Sequence, residues 1–214
     1  MRNNDWVESR AVWFIADSVS SNGLRGVVAR DGHDFADGTL IHRADAQAEA
    51  ALAAGSLLYS IEPVAQGPGV ARITVSQTVV GAAPAIWFCW VDEPTASPAA
   101  ATLVAYADNR QPAGTIITNM QFASMMNTHD GQVGAIRWYH EGGRIHQVYV
   151  SPERRRENIG SMLIYAAAGF HQANAWPGRL HGDGRRTDLG ERFVASLRHG
   201  QRIAPLSERQ PEMD

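Results

Sequence analysis

The chain contains no lysine; all 19 of its basic residues are arginine. Its wealth of alanine and glycine fits coding from a GC-rich genome, and avoidance of lysine-directed tagging is the functional alternative. Cysteine is almost as scarce. The lone Cys89 excludes an internal disulfide, and its place in Ile86-Trp87-Phe88-Cys89-Trp90-Val91 points to a buried thiol rather than a nucleophile. Long apolar runs are missing as well. Nothing approaches the roughly 20 residues of a membrane-spanning helix, and Met1-Arg2-Asn3-Asn4-Asp5-Trp6 has no signal-peptide core, so a cytoplasmic protein with no membrane partner is expected. No His/Cys spacing suits a structural zinc site and the histidines form no ligand pair at helical spacing, so no metal is expected.

What is present describes a globular chain. With 214 residues, 44% hydrophobic and 19% charged, it suits one domain with an elaboration or two small ones. A formal net charge of -3 conceals an asymmetry. Asp31, Asp34, Asp37, Asp45 and Glu49 make the first part acidic, whereas Arg144, Arg154, Arg155, Arg156, Arg179, Arg185, Arg186 and Arg192 make the last third basic.

Ala11 to Ala16 and Gly26 to Arg30 read as strands, and Ala44 to Leu58 has helical composition. Val70 to Val80 alternates as a strand with one mostly apolar face, and Ala85 to Val91 reads as a strand buried on both faces. A loop at Asp92 to Pro98 is the best boundary in the first half. It divides the chain into an N-terminal portion, 1–98, a core, 99–200, and a polar tail, 201–214, the first of these being separate or part of the same domain. Thr102 to Ala107 is a strand by pattern, and Asn119 to Asn127 a short helix or a lining loop. From Gln132 the pattern sharpens: Val133 to Tyr139 and Arg144 to Val150 alternate and are joined by His140-Glu141-Gly142-Gly143, a hairpin turn. Ile159, Met162, Leu163, Ala166 and Phe170 then recur at helical spacing. Arg179 to His181 is a short strand, and Thr187 or Asp188 caps a last helix carrying Leu189, Phe193 and Leu197.

Between the second hairpin strand and the helix lies Val150-Ser151-Pro152-Glu153-Arg154-Arg155-Arg156-Glu157-Asn158-Ile159-Gly160-Ser161-Met162-Leu163. A strand that ends where a helix begins exposes unpaired amides at the positive end of the helix dipole, and arginines add charge-assisted hydrogen bonds. Such a turn receives phosphate.

The text Val150-x-Pro152-x-x-Arg155-x-x-Asn158-x-Gly160 resembles motif A of the GNAT superfamily of acyl-CoA-dependent N-acyltransferases, V-x-P-x-x-R-x-x-G-x-G, with Asn158 at the first glycine. Asparagine tolerates left-handed backbone angles better than most residues, although its side chain adds bulk near the phosphates. The resemblance covers about Gln132 to Leu197. It implies an α/β (α+β) fold with a mixed, mainly antiparallel central sheet flanked by helices and preceded by an N-terminal extension, with the hairpin at the centre of the sheet. Many members carry two more strands after the last helix, and Gln201 to Asp214 is too polar and short for both, so a truncated or variant member is expected. A second stretch, Leu180 to Phe193, is similar to text that follows motif A in small GNAT-like proteins of actinobacteria and their phages.

The resemblance implies acetyl-CoA or another acyl-CoA as co-substrate and an amine as acceptor. It implies contacts to the coenzyme from Arg154, Arg155, Arg156, Glu157, Asn158, Ile159, Gly160 and Ser161, and main-chain contacts to pantetheine and thioester from Val148 and Val150. A general base is sought near the same strand. His146 fits best, on one face with Arg144 and Val148, because an imidazole ordinarily titrates near 6.5; Glu141 and His181 follow. The tyrosine that usually serves as acid near the last helix has no counterpart after Tyr165, which leaves a water, a hydroxyl such as that of Thr187, or no dedicated acid. In such an enzyme a lysine-free surface would also avoid self-acylation. Three classes remain open: an N-acyltransferase, a non-catalytic GNAT-fold binding protein, and a phage-type nucleic-acid modification enzyme. The basic last third is compatible with the third class and the acidic remainder is not.

Overall fold

The computed structural model describes residues 11–19, 23–31, 40–42, 57–67, 69–125, 131–197 and 203–211. Within them eleven strands form one sheet: β1 Ala11–Val19, β2 Arg25–Asp31, β3 Leu40–His42, β4 Leu57–Pro63, β5 Ala71–Val75, β6 Trp87–Glu93, β7 Ala100–Tyr106, β8 Thr115–Thr118, β9 Gln132–Tyr139, β10 Gly142–Val150 and β11 Gly178–His181. Their order is β11-β10-β9-β7-β6-β8-β5-β4-β2-β1-β3. Only β1 with β3, β6 with β8 and β10 with β11 pair parallel, so the sheet is mixed and mainly antiparallel, as the sequence implied. The hairpin β9–β10 lies near one edge of the sheet rather than at its centre, with only β11 outside it.

Among the described residues four α-helices accompany the sheet: α1 Gln77–Val80, α2 Asn119–Ser124, α3 Ile159–Ala173 and α4 Asp188–Ser196. The 3.6-residue period of α3 puts Ile159, Leu163, Ala166, Ala167 and Phe170 on one stripe, and all are 1% exposed or less. They pack in one cluster with Phe88, Leu103, Ile136 and Trp138 from the sheet, each large side chain contributing about 1.5–3 kcal/mol by burial. Small residues set the distance. A methyl group at Gly169 would stand 3.0 Å from the Tyr59 ring, so glycine lets α3 close onto β4.

The opposite face of β6 and β7 holds a second cluster, Trp87, Cys89, Tyr106 and Ile117, covered by Phe122 and Met125. Trp87 and Tyr106 stack at 4.5 Å, with the Arg110 guanidinium 5.4 Å from both rings. Phe122 is delivered by α2, whose start is fixed by a capping box between Thr118 and Gln121.

Two readings of the first half need correction. The alternating run Val70 to Val80 is not one strand: β5 stops at Val75, and the Ser76 carbonyl then accepts from the amides of Val79 and Val80 to start α1. The end of the expected helix Ala44 to Leu58 is strand, because Leu57 and Leu58 open β4; its residues 44–56 lie outside the described residues. Ala85 to Val91 behaves as read, with Trp87, Phe88 and Cys89 buried on the two faces of β6.

Candidate functional site

The site is built where β10 and β11 separate. They pair at Gly142↔Gly178 and Arg144↔His181, and no further. Glycine makes the paired end possible: a methyl group at Gly178 would lie 2.7 Å from Gly142, one at Gly143 would lie 2.5 Å from the Arg179 carbonyl, and both residues have positive φ. Beyond His181 the chain turns through Gly182-Asp183-Gly184 into a short strand, β12 Arg185–Arg186, and leaves the outer edge of β10. That edge keeps alternate amides and carbonyls directed away from β9.

A β-bulge lies at the same place. Ile145 pairs with Trp138 and Gln147 with Arg137, so β10 has one more residue than β9 and His146 is the extra one. Ile145, Val148 and Val150 all pack against the α3 side of the sheet, odd and even positions alike. The grouping of His146 with both Arg144 and Val148 on one face is therefore corrected: the bulge sends His146 to the Tyr139 side and turns Val148 inward.

The parting leaves a cleft of about 380 Å³, lined on its apolar side by Ile145, Val148, Ile164, Phe193, Val194 and Ile203. Its polar side holds His146, Gln147, Asp183, Arg185, Arg186 and Thr187. His146 hydrogen-bonds Tyr139, with Nδ1 3.1 Å from the phenol oxygen. Tyr139 lies under the Arg144 guanidinium at 4.8 Å, and Arg144 reaches Asp183 at 3.4 Å. Burial alone would raise the Asp183 carboxyl, but hydrogen bonds from the Arg185 side chain and amide hold it below the usual carboxylate range.

The tail helps to wall the cleft. Ser207 and Gln210 donate their amides to the carbonyls of Gly184 and Arg186, and Arg186 donates to the Ala204 carbonyl at 2.8 Å. A two-residue strand, β13 Glu208–Arg209, pairs with β12, and Arg209 pairs with Asp188. Ile203, Gln210 and Pro211 thereby reach the cleft.

At the far end of β10 stands the arginine loop. Ser151 anchors the strand end by donating its amide to Val133 at 3.1 Å and its hydroxyl to the same carbonyl at 3.2 Å. A single 3-10 turn, Pro152–Arg154, follows; then Arg156 and Asn158 take φ of 70° and 59°, and α3 begins. The left-handed angle at Asn158 is the conformation that glycine would adopt freely and asparagine accepts. Its side chain lies beside the end of α1, where a methyl group on Gly81 would come 3.2 Å from Nδ2. The amides of Ile159, Gly160 and Ser161 precede the first intrahelical bond, from Met162 to Asn158, and no carboxylate occupies the first turn. Gly160 serves packing: an added methyl group would stand 3.1 Å from the Phe193 ring, which connects the loop to the cleft.

The loop's charges are unequal. Arg154 is paired with Glu157 at 2.8 Å, whereas Arg155 and Arg156 are exposed and the Arg155 side chain makes a long 3.4 Å contact to the Val150 carbonyl. Of the three base candidates, His146 lines the cleft. Glu141 is exposed in the hairpin turn, and His181 sits at the last paired position, its Nδ1 2.9 Å from the Arg179 carbonyl. Cys89 is buried in the second cluster, and burial pushes its thiol up to about 11. Sequence reasoning missed Tyr139, Asp183 and Arg185. The last two belong to the stretch after Leu180, but only the chain reversal there puts them opposite His146. Among the described residues no group of three or more His, Cys, Asp or Glu could hold a metal ion.

Residues 80–178 match the model of the acetyltransferase (GNAT) family. No curated protein and no solved structure matches the chain. The matched span runs from the last residue of α1, through β6 to β10 and the arginine loop, to the first residue of β11, and so contains one wall of the cleft and the helix start beside it. Residues 80–178 are thus an acetyltransferase domain of the GNAT superfamily.

Proposed function

We propose that the chain transfers an acetyl or other acyl group from acyl-CoA to a primary amine. The observation that carries this reading is the exposed edge of β10 running into a loop of two left-handed residues, two exposed arginines and an uncapped helix start. The donor set fits a coenzyme: amides of 159–161 with Arg155 and Arg156 for the pyrophosphate, and main-chain groups of Val148 and Val150 above the apolar cleft for the pantetheine arm. In this reading Arg154 and Glu157 shape the loop as a pair and contribute little net charge.

The amine must be neutral to attack the thioester carbonyl. His146 takes its proton as the carbon–nitrogen bond forms and the carbon–sulfur bond breaks; water protonates the thiolate, and the imidazolium returns its proton to the hydroxide so formed. A positioned base is typically worth about 10²–10⁴ in rate. The transfer is direct, because the Cys89 thiol is buried and far from the thiolate form at neutral pH. The test is acetyl-CoA turnover with a panel of primary amines, followed by thiol release and mass spectrometry. His146→Ala should lower turnover by about 10² or more with little change in acetyl-CoA affinity. Full activity in that variant, or an acetylated Cys89, would overturn the mechanism.

A further inference from the structure

We infer that Tyr139 is a positioning residue that holds the His146 ring through Nδ1, with the phenol oxygen accepting, and so leaves Nε2 as the nitrogen that takes the substrate's proton. The inference rests on the reading of His146 as the base. His146 is exposed on a bulge, where an imidazole without a fixed partner would spread over several rotamers. Tyr139 supplies that partner, with its oxygen 3.1 Å from Nδ1 and the two rings 5.6 Å apart at 49°. It is itself restrained: Arg144 stacks on its ring, and Arg144 is tied to Asp183, which Arg185 holds from the other side. A chain of contacts from β9 through β10 to the 182–184 turn thus ends on one nitrogen of one histidine.

The proton count fixes the direction of the bond. A neutral imidazole has one donor and one acceptor nitrogen, and an imidazolium has two donors. If Nε2 is to accept, Nδ1 must carry the hydrogen, and the phenol oxygen must accept it. When the amine's proton arrives at Nε2, the Nδ1–H bond to the phenol becomes charge-assisted and stronger. The contact therefore favours the proton-transfer state over the ground state, and its loss should appear in kcat and not in coenzyme binding. No proton need leave Tyr139.

Tautomers are read directly by long-range ¹H–¹⁵N correlation of the His146 ring in the protein without ligand, at a pH where the ring is neutral. The wild type should show a majority with Nδ1 protonated. In Tyr139→Phe, which keeps the ring under Arg144, that majority should be lost to the Nε2-protonated form while acetyl-CoA affinity by calorimetry stays within about twofold. Where amine-dependent turnover is measured, Tyr139→Phe should lower kcat about tenfold and add nothing further in a His146→Ala background. A wild-type ring protonated mainly at Nε2, or a variant whose tautomer is unchanged, overturns the inference. Full turnover in His146→Ala would instead remove the base reading on which it rests, so the two failures are distinguishable.

Discussion

The two ends of β10 use similar residue types for opposite purposes. At the Gly142 end the strand is closed against β11, and the space beneath is filled by Trp138, His140, His171 and Trp176. His171 is fully buried there and saturated: the Trp138 indole N–H donates to Nδ1 at 3.2 Å and Nε2 donates to the Pro177 carbonyl at 3.2 Å. At the Val150 end the strand has lost its outer neighbour, and His146 is held by Tyr139 through Nδ1 while its ring borders the cleft. A histidine with both nitrogens engaged in the interior stabilises a fold. One held by a single nitrogen beside a cleft is available for chemistry.

The largest expected effect separates the two ends by pH. Burial, with smaller contributions from His140 and His181, lowers His171 to about 4 against the opposing carbonyls of Pro177 and Gly178. Its folded-state value is depressed, so the unfolded chain binds a proton below about 6.5 that the folded chain refuses until about 4. Stability from this group is complete above about pH 6.5 and is lost as pH falls to about 4, by on the order of 3 kcal/mol. Denaturation midpoints at pH 7 and pH 4.5 should therefore diverge less in His171→Gln than in the wild type. Equal divergence in the two proteins would break the contrast at the closed end.

The next effect belongs to the open end. Arg155→Ala should weaken CoA about tenfold, the loss of one charge-assisted phosphate contact, with the midpoint of unfolding nearly unchanged. A large loss of stability with unaltered CoA affinity would make Arg155 structural. The smallest effect concerns the shape of the loop. Asn158→Gly should leave CoA affinity the same or up to about threefold tighter, because glycine adopts the left-handed angle at no steric cost and removes a side chain near the proposed phosphate position. Marked weakening would mean that the Asn158 amide itself contributes to binding.

The hairpin, the arginine loop and α3 were legible because the hydrophobic period changes there from two to about 3.6, with glycines in the hairpin turn and a helix stripe of Ile159, Leu163, Ala166 and Phe170. The bulge at His146 was not, since an extra residue in one strand is defined only against the register of its neighbour. Period alone also failed at Val70 to Val80, where Ser76 breaks the strand and a helical turn buries Val80. The polar tail gave no sign of its role because it is fixed to residues 184–186 chiefly through backbone amides and carbonyls, and such bonds leave no pattern in side chains. His171 reads as an ordinary polar residue in an apolar helix; its partners Trp138, distant in sequence, and the Pro177 carbonyl show why it is tolerated there.

If the open end of β10 and the helix start beside it form a coenzyme site, the folded wild-type protein must bind acetyl-CoA, and calorimetric titration decides whether it does. Saturable one-site binding is expected below millimolar concentration, weakened as salt is raised because phosphate–arginine contacts are screened. A well-folded protein that gives no binding at millimolar acetyl-CoA would refute the site.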